Sequence, residues 1–182
     1  MTATDLPPPA AGPDDAAPAG AARLPVKVIA EIGCNHKGDL AIAREMIRVA
    51  KRQCNADVAK FQKRHNRELL SPDEYDRPHP VPGNAYGPTY GAHREALELD
   101  LDAHRALMDC CAEEGILYST SVWDLTSARG IVALGPSMIK IPSATNQNFA
   151  LQGFLCERFG GEIHVSTGMS TVEEVERVVA FH

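Results

Sequence analysis

The chain has 182 residues, 44% of them hydrophobic, enough to bury one sizeable core. A formal net charge of −6 excludes a general nucleic-acid surface, because neutralising phosphates takes a dense basic patch. No apolar run approaches the roughly 20 residues of a membrane span, and the N-terminus lacks the charged-then-apolar order of a secretion signal.

Residues 1–24 are rich in Ala, Pro, Gly and Asp, offer little to bury, and are expected to form a disordered tail. The domain is expected to span residues 25–182. Its first apolar run, "VKVIAEI", reaches Glu31 and then Gly33, Asn35 and His36. A helical pattern follows, with Leu40, Ala43, Met46, Ile47 and Ala50 recurring on one face. "DVAKFQ" reads as the second strand. After it comes a segment, residues 63–99, dense in Pro, Gly, Tyr and His, of the kind that α/β proteins place over a site.

A helix capped by Asp100 and stopped by Gly115 leads to the strand "ILYSTSV". "TSARGIVALG" is a short helix before "MIKIPS", and "NFALQGFLCERFG" a helix before "EIHVSTG". Thr171 and Glu174 form a capping-box pattern at the start of the last helix. The five cysteines form no C-x-x-C pair and no zinc-type spacing, which favours a reduced, cytoplasmic protein with no metal ligands among them.

Strands alternating with helices imply parallel strands joined by crossovers. A doubly wound open sheet and a (β/α)8 TIM barrel both fit. The absence of G-x-G-x-x-G and of a Walker lysine loop counts against a nucleotide-binding open sheet. Eight barrel units need around 250 residues. About five βα units are recognisable here, so as a TIM barrel the chain is incomplete.

Every strand carries a polar residue near its C-terminal end. Lys60 and Gln62 share a face, as do Tyr118 and Thr120; Lys140 lies between two isoleucines, with Ser143 just beyond; His164 and Ser166 share a face. A lone strand lysine more often snorkels to solvent, and strand-end hydroxyls often satisfy nearby backbone. In a barrel, however, these ends converge on one mouth. Lys60 and Lys140, ringed by Thr120, Ser143 and Ser166, would suit a phosphorylated or multiply anionic small molecule. Glu31 could pair with a lysine, move protons or orient a hydroxyl.

The motifs "AEIGCNHKGDLAIAREMI", "DVAKFQ", "KIPSA" and "HVSTGM", in this order, resemble the sialic acid synthase (N-acetylneuraminate synthase-like) family over residues 26–182. The resemblance implies condensation of phosphoenolpyruvate with an N-acylated hexosamine to a nine-carbon 2-keto acid. It implies catalytic roles for Glu31, Lys60 and Lys140, and substrate contacts from Gln62, Thr120, Ser143 and Ser166. It also implies a divalent metal, Mn2+ or Mg2+, whose histidine ligands lie beyond the matched motifs, and a homodimer when complete. Alone, the chain is expected to be inactive. Ala144 and Thr145 stand where many members carry glycine and glutamate, which leaves open a legionaminic- or pseudaminic-type acceptor. Another phosphoenolpyruvate-dependent aldol synthase and a non-catalytic remnant are the competing readings.

Overall fold

A computed structural model describes residues 26–182. The tail expected over residues 1–24 lies outside the described residues. Five parallel strands, β1 (Ile29–Gly33), β2 (Val58–Lys63), β3 (Leu117–Val122), β4 (Met138–Ile141) and β5 (Glu162–Val165), pair in their order along the chain. A doubly wound sheet would reverse that order part-way. Here it never reverses, and the sheet is five strands of a TIM-type barrel wall, incomplete as expected. Among the described residues, β1 and β5 each have one unpaired edge.

The crossovers use helices α1 (Leu40–Arg52), α5 (Leu101–Glu114), α6 (Leu125–Leu134) and α7 (Phe149–Arg158), and α8 (Val172–Phe181) follows β5. The ends agree with the sequence chemistry. Asp39, Asp100 and Asp124 accept hydrogen bonds from first-turn amides, and Thr171 and Glu174 cap reciprocally. Gly115 (φ +68°) and Gly135 (φ +74°) end α5 and α6 in the left-handed conformation, which glycine adopts without a Cβ clash.

All four crossover helices pack on the same sheet face. Ile32, Ala59, Phe61 and Tyr118 meet Ala43 and Ile47 of α1 and Leu107 and Cys111 of α5. Val122, Ile139 and Ile141 meet Ala128 and Ile131 of α6 and Leu151 and Leu155 of α7. Phe61 is fully buried and stacks on Tyr118 at 5.9 Å, so truncating it to Ala would cost about 3–5 kcal/mol. With one face committed to helices, Glu31, Lys60, Gln62 and Lys140 fall on the other.

The segment between β2 and α5 is not one loop. It contains three short helices, α2 (Asn66–Leu69), α3 (Pro72–Asp76) and α4 (Tyr90–Ala96), and α3 begins with a capping box from Ser71 to Glu74. The Tyr75 ring of α3 packs against Gly91 of α4, where a Cβ would lie 2.3 Å from it.

Candidate active site

Strand register sets which side chains meet. Glu31 pairs with Lys60, Lys60 with Ser119, Gln62 with Ser121, and Ser121 with Lys140. Partners in register project to the same face, about 4.8 Å apart. Two adjacent polar rows therefore lie on the face opposite the helices, Glu31–Lys60–Ser119 across β1 to β3 and Gln62–Ser121–Lys140 across β2 to β4. Buried Met138 ends the first row on β4, and buried Val58 lies beneath Lys60.

The Lys60 ammonium forms an ion pair with the Glu31 carboxylate. The pair is asymmetric: the Lys60 side chain is 11% exposed and that of Glu31 50%. The ammonium is thus desolvated, while the carboxylate can still be reached by water or a ligand. Lys140 is half-buried, and burial, with the neighbouring Lys60 charge, holds its pKa below the ordinary lysine value against the pull of Glu31. An anion placed between the two lysines would relieve both effects.

Gly33 closes the end of β1. The β1–β2 register shifts between Glu31 and Gly33, and Gly33 sits at φ +59°. A Cβ there would stand 3.5 Å from Gln62 Nε2 and 3.6 Å from Glu31 Oε1, so Gln62 and Glu31 converge at this turn. His36 caps the same turn: its Nδ1 accepts the Gly38 amide at 3.0 Å, and burial lowers its pKa.

Beyond β4, Ser143 opens a short 3-10 turn that faces the end of β5, and a Cβ on Gly168 would lie 3.6 Å from Ser143 Oγ. Buried Asn146 fixes this approach. Its Nδ2 donates to the Ser166 carbonyl at 3.0 Å and to Ser170 Oγ at 2.7 Å, while its own carbonyl accepts Gln152 Nε2 at 2.6 Å. The strand ends thus bring Glu31, Lys60, Gln62 and Lys140 onto one face and hold Ser143 beside the β5 loop that carries Ser166.

The NeuB family matches residues 46–182 of this chain. The chain belongs to the NeuB family. Human N-acetylneuraminate-9-phosphate synthase is 34% identical over 154 residues, 85% of this chain and 42% of that protein. N,N'-diacetyllegionaminic acid synthase of Campylobacter jejuni is 30% identical over 152 residues, 84% of this chain and 45% of that protein. The chain spans less than half the length of these curated relatives. In fold it is similar to the N-acetylneuraminic acid synthetase of Leptospira borgpetersenii, with a TM-score of 0.71 at 24% identity over 87% of this chain and 50% of that one.

Thr120 departs from the expectation. The register pairs it with Phe61 and Ile139, which face the helices, so Thr120 is on the helix side and fully buried. The hydroxyls on the lysine face are those of Ser119 and Ser121. Sequence alternation contained the signal, because Tyr118 and Val122, two residues to either side of Thr120, are bulky and belong with the core.

Sequence reasoning also missed what anchors the segment after β2. Buried Arg64 donates to Glu98 Oε1 at 2.5 Å and to Cys34 Sγ at 2.7 Å, and Lys63 donates to the Leu99 carbonyl at 2.8 Å. Burial raises the Cys34 thiol pKa above its ordinary value, so the sulfur stays a protonated acceptor for this guanidinium. As for a metal, no three His, Cys, Asp or Glu side chains gather as ligands among the described residues. The described residues do not fit a divalent ion.

Proposed function

We propose that this chain supplies the phosphoenolpyruvate-binding part of a NeuB-type synthase that joins phosphoenolpyruvate to an N-acylated hexosamine, giving a nine-carbon 2-keto sugar acid and phosphate. The reading rests above all on two ammonium groups, Lys60 and Lys140, on one polar sheet face at the C-terminal strand ends, with Glu31 half-exposed beside them. Barrel enzymes act at that end of the strands. A desolvated and a half-buried cation on one sheet face suit a ligand with both a phosphate and a carboxylate.

In this proposal Lys60 and Lys140 hold the two anionic groups, and Gln62, Ser143 and Ser166 position them. Carbon 3 of the enol attacks the aldehyde of the open-chain sugar, and the aldehyde oxygen takes up a proton. Water adds to the cationic carbon 2, and phosphate leaves with cleavage of its bond to that carbon. Glu31 is placed to orient the sugar or to accept the proton of the incoming water. A divalent metal would need ligands other than the described residues. A homodimer and a cytoplasmic location complete the proposal.

The legionaminic acid type is the second reading of the acceptor. It is favoured by Ala144 and Thr145 after Ser143 and by the Campylobacter relative. Equilibrium titration with phosphoenolpyruvate tests the shared part of both readings. Saturable binding that is lost in Lys60→Met and Lys140→Met is expected, and an unchanged affinity in both variants would remove the site.

A further inference from the structure

Between α3 and α4 the chain makes an excursion that little apolar surface holds down. Its ends are tied where the Tyr90 amide donates to the Arg77 carbonyl at 2.8 Å, yet residues 80–84 are all exposed. A segment with few buried contacts opens at small cost, so single polar contacts decide its position. Both arms of the excursion rest on one side chain of α4, His93. On the first arm the His79 ring lies 4.3 Å from the His93 ring, centroid to centroid. On the second the Tyr86 ring lies at 5.7 Å, and the Tyr86 amide donates to His93 Nδ1 at 3.2 Å. The turn beside it is tight, since a Cβ on Gly87 would lie 2.8 Å from Ala92 Cβ.

A ring nitrogen that accepts an amide carries no proton. Protonating His93 Nδ1 would set one N–H against another, and the new charge would meet its own sign. The charges acting on His93 are those of His79, of Arg94 on α4 and of Arg64 just beyond β2. Arg77, from the end of α3, lies over the neighbouring Tyr90 ring at 4.8 Å. The nearby carboxylates are engaged elsewhere or solvated. Glu68 of α2 accepts the Leu125 amide, Glu74 of α3 closes its own capping box, and Glu98 pairs with Arg64 and Lys63. Asp73, Asp76 and Glu95 are exposed. Burial, with the adjacent cations, holds the His93 pKa below the ordinary histidine value. His79 differs: its Nδ1 lies 3.1 Å from the Val81 amide and 2.7 Å from the Val81 carbonyl, so it keeps a backbone partner in either protonation state.

We propose that His93 is a pH latch: neutral, it holds residues 78–89 closed against α4, and protonated it releases them. The segment follows the C-terminal end of β2, which carries Lys60 and Gln62, so the latch makes access to that end of the sheet depend on pH. The open form, with the His93 ring in water, takes the proton first. The closed form is therefore favoured above about pH 6.5, the ordinary histidine value, and loses ground as pH falls below it. Its ratio to the open form drops by up to about tenfold per pH unit until the lowered value is reached. The latch stands whichever anion the lysine face binds.

The test is amide hydrogen exchange of the 182-residue chain at about pH 7.5 and about pH 5.5, each corrected for the intrinsic chemical rate. Protection at Tyr86 and across residues 78–89 is expected to fall about tenfold at the lower pH, while amides of β2 and β3 keep theirs. His93→Gln offers a side-chain carbonyl to the same amide and takes up no proton, so its protection is expected to be equal at both pH values. His79→Gln is expected to keep the dependence, because the accepting nitrogen is on His93. Should His93→Gln leave the segment open at every pH, the unsubstituted chain supplies the second reading. Its Tyr86 amide shift is expected to titrate together with the His93 ring, at a pH below that of an exposed histidine. Equal protection of Tyr86 at both pH values, a Tyr86 amide that does not follow the His93 ring, or an equal loss of protection in β2 and β3 would overturn the latch.

Discussion

Replacing Lys60 with Met removes an ammonium and keeps most of the stem that packs on the sheet. One charge-assisted contact to a desolvated anion contributes about 1.5–3 kcal/mol, or roughly ten- to 150-fold in affinity. The Glu31 pair adds a second effect. With Lys60 gone, the Glu31 carboxylate loses its counter-charge and faces the incoming phosphate. Because that side chain is 50% exposed, solvent screens the repulsion to about 1 kcal/mol or less, roughly fivefold. Lys60→Met is therefore expected to weaken phosphoenolpyruvate binding more than Lys140→Met does, and adding Glu31→Gln should recover a few-fold. Glu31→Gln alone should keep or slightly tighten binding, because Lys60 is then free for the ligand, while any turnover in a complete enzyme falls steeply. Calorimetry on the four proteins of the cycle gives each number. Affinity within about threefold of the unsubstituted chain for Lys60→Met, or a double variant no better than the single one, would refute the reasoning.

Other outcomes follow from single groups. Lys140 starts with a lowered pKa, and a bound anion raises it, so binding takes up a proton between the two values and phosphoenolpyruvate affinity should fall as pH rises through that alkaline range; a flat profile would mean that Lys140 does not touch the anion. His104, buried and bonded to the Tyr118 hydroxyl, has its pKa pushed down to about 3. The unfolded chain binds that proton first, so stability present above pH 6.5 should drop by about 1.4 kcal/mol per pH unit down towards pH 3, and urea melts of His104→Gln should show a shallower slope. Asn146→Ala leaves the Ser166 carbonyl without its side-chain donor and should cost about 1–3 kcal/mol, with faster amide exchange across residues 166–170. The edges of β1 and β5, unpaired among the described residues, should make the 19.6 kDa chain elute as an oligomer, with no phosphate released from phosphoenolpyruvate and N-acetylmannosamine even with Mn2+; a monomer that turns over would contradict the open-wall account.

Much of the fold was legible in the sequence because its signals are local. Asp100 and Gly115 bracket α5 through cap chemistry that needs no tertiary context, and the five apolar runs lie on the five strands. The pairing of Glu31 with Lys60 was one of the roles open to that carboxylate. Thr120 was misplaced because "LYSTS" carries hydroxyls on both faces; alternation with Tyr118 and Val122 pointed it to the core side, and the register with Lys60 settles it. The Arg64–Glu98 contact joins residues 34 apart, across a segment whose composition suggested turns, and no periodicity reports such a pairing. The helix α3 within that segment could have been read, since Ser71 and Glu74 form a capping box around Pro72.

The central claim is that the lysine-bearing face of the sheet is where the anion binds. Amide chemical-shift changes on adding phosphoenolpyruvate to labelled chain test it residue by residue. The expected changes concentrate at Glu31–Gly33, Lys60–Gln62, Ser119–Ser121, Lys140–Ser143 and Ser166–Gly168, and disappear in Lys60→Met combined with Lys140→Met. Changes gathered instead on the outer helices, for example around Arg129 and Arg158 in the groove between α6 and α7, would contradict the account.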